Sequence, residues 1–225
     1  MYTDYHTHTI ASGHGTRDTI DRLARAAAAK GIQILGISDH APAMPGAASI
    51  SYFRNLRYSA RERYGVRLCF GAELNVLDFS GKVDLPEDIL RTLDYAVISL
   101  HPQCFRSGTA EQNTTALIRA MAAPHVRIIG HPDDEKYPLD YDVLVMAAKK
   151  AGVLPELNNS SLSPHGYRGD SRRYDILLLE ACARHNVPII LGSDSHGAKH
   201  VGDFTWCRRL LEETAFPAEL VRDIL

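Results

Sequence analysis

Short apolar runs alternate with longer amphipathic segments along almost the whole chain. Some runs, such as 96–98 and 188–191, contain almost no polar residues, which is typical of strands buried on both faces of a parallel sheet. Runs of this kind predict seven strands, at residues 2–9, 34–39, 67–77, 95–101, 126–132, 153–159 and 187–194.

Amphipathic segments with helical spacing fill the intervals between these strands. They predict helices at residues 16–30, 110–121, 141–150 and 173–186, and Gly31 and Gly152 stand where two of these helices should end. The segment 78–83 predicts the tight turn of a hairpin after the third strand. Strands that alternate with helices indicate either a βα barrel or an open doubly wound sheet.

Polar side chains that can bind metal ions stand near the carboxyl ends of these strands. An open sheet has a single crevice, whereas the strand ends of a closed barrel all surround one mouth. The pattern therefore favours an α/β fold with an irregular, distorted seven-stranded barrel, and residues 1–225 are expected to form one domain. The candidate ligands are His6, His8, His14, His40, Glu73, His101, His131, Asp194 and His196.

Two pairs of these candidates have the spacing of side chains on one face. His6 and His8 alternate along the first strand, so both imidazoles point to the same side of it. Asp194 and His196 repeat the spacing after the last strand and offer one oxygen and one nitrogen donor. His14 lies in the loop after the first strand, where a lone histidine is usually solvated.

The remaining candidates end or interrupt apolar strands. His101 and His131 are each followed by proline, which ends a strand and directs the imidazole toward the mouth. Glu73 lies within an apolar strand, where a carboxylate is costly unless it binds a metal or joins a buried ion pair. His40 follows Asp39, whose carboxylate either orients another imidazole or caps the loop.

Composition narrows the functional classes. Of the 225 residues 45% are hydrophobic, and the net charge of −2 gives no general attraction to nucleic acid or anionic lipid. Cys69 and Cys182 lie in apolar stretches, as expected of reduced cysteines in the cytoplasm. The strand pattern that begins at Tyr2 leaves no room for a signal peptide, and the apolar runs are far shorter than a membrane span. We therefore expect a cytoplasmic protein.

Together these motifs resemble those of the PHP (polymerase and histidinol phosphatase) family, and in particular a small phosphatase branch whose members hold three zinc ions. The match spans essentially the entire chain. The residues that carry it are Asp4-Tyr5-His6-Thr7-His8, Ser38-Asp39-His40, Gly71-Ala72-Glu73, His101-Pro102, His131-Pro132, Asn158-Asn159-Ser160 and Ser193-Asp194-Ser195-His196.

The resemblance implies a distorted seven-stranded barrel with a trinuclear site at the carboxyl ends of its strands. It assigns the first metal to His6, His8, Glu73 and Asp194, the second to Glu73, His101 and His131, and the third to His14, His40 and His196. Glu73 then bridges the first two metals. Imidazole-rich coordination favours zinc, although iron or manganese fits the same donors.

Two carboxylates offset only part of the charge of three divalent ions, so the pocket should attract phosphate. A hydroxide shared by two metals is the expected nucleophile, which predicts a phosphatase for small phosphomonoesters with Glu73, Asp194 and His196 as catalytic residues. Candidates for binding the phosphate are Arg168, Arg172 and Arg173, for which a solvated helix start is an equal alternative, and more weakly Arg17.

Alternative functions remain open at this point. One is a histidinol-phosphate phosphatase, and another is a non-catalytic metal-binding domain. Hydrolysis at a carbon centre is disfavoured because no lysine stands at a strand end to serve as a carbamylated bridge. The chain has no basic stripe with interleaved aromatic residues, which argues against a nucleic-acid partner. The sequence predicts neither the natural substrate nor the oligomeric state.

Overall fold

A computed structural model describes residues 3–224. The first predicted strand is divided in two, and its expected start at Tyr2 lies outside the described residues, as do both ends of the expected domain. The strands are β1 (Thr3–Asp4), β2 (Thr7–His8), β3 (Ile34–Ile37), β4 (Glu62–Arg63), β5 (Val66–Phe70), β6 (Glu73–Asn75), β7 (Ala96–Ser99), β8 (Val126–Ile129), β9 (Leu154–Asn158), β10 (Ile190–Gly192) and β11 (Ser195–His196).

Helices occupy most of the intervals between the strands. They are α1 (Ile20–Ala29), α2 (Ile50–Leu56), α3 (Glu87–Leu90), α4 (Ala110–Ala120), α5 (Tyr141–Ala151), α6 (Ser171–His185) and α7 (Thr205–Glu213), with short 3-10 helices at Ile10–Ser12 and Ala218–Leu220. No helix in this part of the chain is long and apolar enough to cross a membrane.

The strands form three sheets in which nearly all neighbours are parallel. One sheet has the order β1-β3-β5-β4, the second β10-β9-β8-β7-β6, and the third pairs β11 with β2. The short β4 runs antiparallel to its neighbour β5. The fold is therefore a mixed α/β fold with parallel sheets, as the alternating pattern predicted.

Backbone hydrogen bonds connect the sheets where the sequence predicted continuous strands. The predicted strand 67–77 is divided into β5 and β6, and the bridge between His40 and Glu73 extends its pairing with β3. On its other side, Val97 donates its N–H to Ala72 O at 3.0 Å. Likewise, Ser38 donates to Thr7 O at 3.0 Å, which joins β3 to β2.

The helix ends follow the predicted capping signals. Gly152 ends α5 with a φ of 67°, a left-handed conformation that glycine adopts without steric cost. The helix predicted to begin at 173 begins instead at Ser171, because Asp170 caps it by accepting the Arg173 N–H. The hairpin turn at 78–83 is present, since Leu77 donates to Lys82 O at 2.8 Å.

The elements that sequence reading missed are the short ones. The helices α2, α3 and α7 and the strands β4 and β11 were not predicted, and α3 spans only four residues. One cluster of buried side chains comes from several strands and from residues next to strands. That cluster consists of Tyr5, Cys69, Tyr95, Val97, Ile128 and Ile190.

Candidate metal centre

The candidate ligands converge on the carboxylate of Glu73, at the start of β6. Five imidazoles place a ring nitrogen within 3.6 Å of a Glu73 oxygen, and every one of these side chains is buried. The nitrogen–oxygen distances are 3.5 Å for His6, 3.6 Å for His8, 2.6 Å for His40, 3.2 Å for His101 and 2.8 Å for His131.

Asp194 forms a second centre of contact beside Glu73. Its Oδ1 lies 3.2 Å from His8 Nε2, 3.8 Å from His6 Nε2 and 3.5 Å from His196 Nδ1. Asp194 has a φ of 50°, which is uncommon for a residue with a side chain. This backbone conformation lets the chain turn between β10 and β11, with Asp194 directed into the cluster and His196 on the parallel pair formed with β2.

His14 joins the cluster from the loop after β2. Its ring lies 4.8 Å from that of His40 and 5.1 Å from that of His196, measured between ring centroids. Unlike the other candidates it is exposed, because the loop places it at the outer edge of the cluster. The structure thus brings all nine predicted side chains together.

Three of the imidazoles share one arrangement of hydrogen bonds. His6 Nδ1 donates to Glu156 Oε1 at 2.7 Å, His8 Nδ1 donates to Ser12 Oγ at 2.9 Å, and His101 Nδ1 donates to Asn75 Oδ1 at 2.7 Å. In each ring the outer nitrogen therefore carries a proton, and Nε2 is directed toward Glu73 in the cluster. This is how proteins orient histidines that bind metals.

Asp39 contacts the ligand His8 indirectly, through Ser12. It accepts the Ser12 hydroxyl at 2.7 Å, so that Ser12 can in turn accept His8 Nδ1–H. It also accepts the Thr9 N–H at 2.6 Å, which ties down the loop after β2. The two roles considered for Asp39, orienting an imidazole and capping a loop, are thus both present in its contacts.

Buried polar atoms without a hydrogen-bond partner provide the test of whether these residues suit a metal. Such atoms are costly unless something else binds them. Six of them, in the described residues, belong to this cluster: Nε2 of His6, His8, His101 and His196, Nδ1 of His40, and Oε2 of Glu73. Lone pairs of this kind are what divalent transition metals bind.

The donor atoms fall into overlapping groups, each compact enough to surround one ion. Within each group the atoms lie within 4.8 Å of one another, and His8 and His40 each belong to two groups. The groups are His6, His8 and Asp194; His40, Glu73 and His101; and His8, His40 and His196. The residues present therefore fit more than one metal ion.

Electrostatics keep both central carboxylates ionised. Burial raises the pKa of Glu73, but the surrounding imidazoles of His40, His101 and His6 outweigh it and hold that pKa well below its usual range. For Asp194, burial likewise raises the pKa, and His6 and Arg168 more than compensate and lower it. Burial lowers the pKa of His101 to about 4, so this imidazole is neutral at pH 7 and available as a donor.

A wide cleft of about 800 Å³ opens beside the cluster. His14, Asp194 and His196 form part of its wall, so the cluster is accessible to a molecule in the cleft. Tyr167 and Trp206 also line the cleft, and Lys199 is the only lysine or arginine among the described residues that does so.

The arginines considered for phosphate binding are not free in this cleft. Arg168 is buried, and its guanidinium donates to Asp194 Oδ2 and to Ser161 Oγ, both at 2.9 Å. Arg172 is exposed and forms an ion pair with Glu213. Arg173 and Arg17 are also exposed, and neither lines the cleft. Arg168 is thus placed to balance the charge of Asp194 rather than to extend into the cleft.

Several residues around the cluster were not found from the sequence. Glu156 accepts His6 Nδ1–H and also the His131 N–H at 2.8 Å, and both its neighbours in β9 are buried. Its signal in the sequence is the one that identified Glu73, a carboxylate within an apolar strand. Ser12 and Asn75 have no comparable signal, because hydroxyl and amide side chains are common near strand ends.

Comparison with known proteins identifies a family model and relatives that match the chain. A model of the PHP domain family matches residues 4–207. Over 218 residues the chain is 41% identical to a probable phosphatase of Clostridium novyi (strain NT), with 97% of this chain and 88% of the relative covered. It is 44% identical over 222 residues to a probable phosphatase of Caldanaerobacter subterraneus subsp. tengcongensis, covering 98% and 86%.

Among solved structures, the fold is similar to that of histidinol phosphate phosphatase from Lactococcus lactis, complexed with zinc, L-histidinol and phosphate. The TM-score is 0.64 over 96% of this chain and 94% of that one, and 17% of the residues are identical. At this identity the likeness concerns the fold alone. Because the family model covers most of the chain and its relatives are more than 40% identical to it, the protein belongs to the PHP domain family.

Proposed function

We propose that the protein hydrolyses small phosphomonoesters at a centre of three divalent metal ions, most suitably zinc. The observation that carries this proposal is the set of buried imidazole and carboxylate atoms that face one another without hydrogen-bond partners and line an open cleft. Its class as a phosphatase follows from its family and from relatives about 40% identical that are named probable phosphatases.

The proposed ligand sets are supported by the contacts within the cluster. His6, His8, Glu73 and Asp194 would hold one ion, and Glu73, His101 and His131 a second, with Glu73 central to both. His14, His40 and His196 would hold the third, and their rings lie together at the outer edge of the cluster. Imidazole and carboxylate donors suit zinc, and iron or manganese would fit as well.

We also propose that the three sheets belong to one distorted seven-stranded barrel and that the chain is a single domain. The hydrogen bonds that join β3 to β2 and to β5, and the bond from Val97 of β7 to Ala72 between β5 and β6, support this arrangement. So does the parallel pairing of β2 with β11, which joins the first strand to the last. Such a closed arrangement would explain why the ends of so many strands surround a single cluster.

Bound divalent ions would supply Lewis acidity, lowering the pKa of water and neutralising charge on a phosphate. The residues of the chain then have distinct tasks in the reaction. Glu73 and Asp194 stay ionised in the buried cluster, and the outer hydrogen bonds of His6, His8 and His101 fix the direction of their donor atoms. We assign His196, whose side chain is 23% exposed, to the ligand shell nearest the substrate.

Metal quantification coupled to a phosphoester screen tests this proposal. We expect purified, metal-loaded protein to bind close to three equivalents of zinc and to release phosphate from simple phosphomonoesters. Glu73→Gln and His101→Ala should each lose at least one equivalent of metal and nearly all turnover while keeping the circular dichroism of the fold. His185→Gln, which changes a histidine paired with Asp142 at the end of α6, is the matched control.

Two results would contradict the proposal. One is a fully loaded protein that binds fewer than two ions, and the other is a Glu73→Gln variant that retains near-complete phosphatase activity. Metal-loaded protein that is inert toward every phosphoester tested would favour a non-catalytic metal-binding domain.

A further inference from the structure

The cleft that His14, Asp194 and His196 line also carries two aromatic side chains, Tyr167 and Trp206. We propose that they contact a planar aromatic ring of nucleobase size on the alcohol part of the substrate, so that the enzyme prefers nucleoside monophosphates to phosphomonoesters without a ring. This inference rests on the proposed phosphatase function and extends it to the class of substrate.

Tyr167 is exposed to solvent and yet held in a defined position. Its side chain is 64% exposed, while its hydroxyl accepts a hydrogen bond from Arg168 Nη2 at 3.1 Å. The guanidinium carbon of Arg168 also lies 4.8 Å from the centre of the tyrosine ring. Because Arg168 is itself bonded to Asp194, the exposed ring is fixed relative to the metal ligands.

Trp206 is anchored to the same group of strand ends. The backbone N–H of Trp206 donates to Asn159 Oδ1 at 2.9 Å, and the backbone N–H of Asn159 donates to Gly192 O at 2.8 Å. The preceding residue, Asn158, contacts Asp194 Oδ2 at 3.3 Å through its side-chain amide. The backbone that carries the indole at the start of α7 is therefore fixed relative to the strand ends near Asp194.

Rigid aromatic surfaces beside a phosphate site suit a base rather than a flexible polar chain. Stacking on an aromatic side chain strengthens nucleic-acid binding by about tenfold or more for each base. Such rings lose little conformational entropy when they bind, since two torsions describe each side chain. The cleft volume of about 800 Å³ lies in the range of sites for molecules much larger than glycerol phosphate.

Charge on the cleft wall argues against a substrate with a second strongly anionic group. Lys199 is the only lysine or arginine among its described lining residues, so no guanidinium is present there to bind a second phosphate through two hydrogen bonds. The lining also includes the carboxylate of Asp203 and hydrogen-bonding groups such as Asn159, Ser160 and Gln103. These groups can bind the ribose hydroxyls or the edge of a base.

Binding of the ring can be measured without turnover, because Trp206 is the single tryptophan of the chain. Titrating metal-loaded protein with adenosine, which has no phosphate to remove, should quench the tryptophan fluorescence in a saturable manner. Ribose should not quench it. Tyr167→Leu should weaken the adenosine response, whereas Tyr58→Leu, at an exposed tyrosine outside the cleft, should not.

The kinetic test compares adenosine 5′-monophosphate with ribose 5-phosphate, which has the same phosphoester but no base. We expect kcat/KM to be about tenfold higher for the nucleotide. In Tyr167→Leu and Trp206→Leu this ratio should fall toward one, and in Tyr58→Leu it should stay at the wild-type value. Because each variant is its own reference, partial loss of folded protein does not change the ratio.

The possible failures are distinguishable. Equal kcat/KM for the two substrates, or no adenosine quenching, overturns the ring preference and leaves the phosphatase function standing. A higher kcat/KM for histidinol phosphate than for the nucleotide overturns it in favour of a smaller ring. Metal-loaded protein that hydrolyses no phosphomonoester contradicts the proposed function itself.

Discussion

At the scale of single residues, the partners behind the ligands matter as much as the ligands. Glu156 holds the ring of His6 through one oxygen and the backbone N–H of His131 through the other. His131 has a φ of 31°, which is strained for a residue with a side chain, so this second bond stabilises an unfavourable conformation. One buried carboxylate therefore positions donors on two different strands.

Replacing Glu156 by glutamine should weaken metal binding without removing a ligand. Both carboxylate oxygens of Glu156 accept hydrogen bonds. In the glutamine variant, the amide NH₂ would therefore replace one acceptor and face a donor group. Changes to such partners typically reduce metal affinity by about 10–100-fold. Competition with a chromophoric zinc chelator measures this loss, with Glu180→Gln on the exposed face of α6 as the control. Unchanged zinc affinity would show that Glu156 has no positioning role.

Arg168 is expected to be important for stability rather than for binding phosphate. Arg168→Met removes the guanidinium that pairs with the buried Asp194, and Asp133 loses one of the groups that offset the effect of burial on its pKa. Breaking a buried pair in this way costs about 3 kcal/mol or more, whereas losing an exposed pair costs less than about 1 kcal/mol. Urea unfolding of metal-depleted protein should separate Arg168→Met from Arg172→Met, which removes the exposed pair with Glu213. Equal stability of the two variants would contradict this assignment.

The sequence identified the residues whose types are unusual for their positions, and it missed those whose roles depend on contacts. His101 and His131 stand out because each follows an apolar strand and precedes proline. Arg168 looked like its neighbours Arg172 and Arg173, and only tertiary structure shows that it is buried against Asp194. Periodicity reports which face of an element a side chain occupies, but not which distant side chain it meets.

At the scale of elements, the sequence predicted the alternation of strands and helices, but it did not predict the breaks within strands or the short helices. The seven predicted apolar runs all contain strands, but the first and third are each divided into two. When a strand is divided, its two parts pair with different neighbours but keep the same apolar pattern, so the local sequence does not reveal the break. Helix α3 has four residues, fewer than the repeat over which a helical face can be recognised.

Gly192 in β10 lies so close to Glu156 in β9 that a larger side chain in its place should affect metal binding. A Cβ added at Gly192 would lie 1.7 Å from Glu156 Oε1, the atom that accepts His6 Nδ1–H. Gly192→Ala should therefore displace Glu156 and lower zinc affinity, although no ligand changes. Chelator competition measures the affinity, and urea unfolding measures the stability of the same sample.

Gly152→Ala is the matched control for this substitution. At the end of α5 a Cβ would meet no atom within 4 Å, so only the left-handed backbone is penalised. That penalty is about 1–2 kcal/mol of folding stability. The control should thus lose stability and keep its zinc affinity. A Gly192→Ala variant that behaves in the same way would refute the link between strand packing and the metal site.

At the scale of the whole molecule, the proposed metal centre connects the two ends of the chain. β2 and β11 each have two residues, and they pair with each other with ligands on both, His8 and His196. So short a pair has little stability of its own. Asp194 and His8 place oxygen and nitrogen donors 3.2 Å apart across this junction, so an ion bound by both would stabilise it.

Hydrogen exchange with and without metal tests this consequence. With free zinc at about 100 times its dissociation constant, binding stabilises the folded state by about 2.7 kcal/mol, or roughly 100-fold in the exchange rate of any segment that must release the metal to open. We expect chelation to accelerate exchange by this order in peptides covering 3–14 and 193–198. Peptides of α4, which contributes no ligand and has its own capping box at Thr109 and Gln112, should change far less. Uniform acceleration across the chain would instead mean that metal binding stabilises only global folding, and that the junction of the two ends has no special dependence on it.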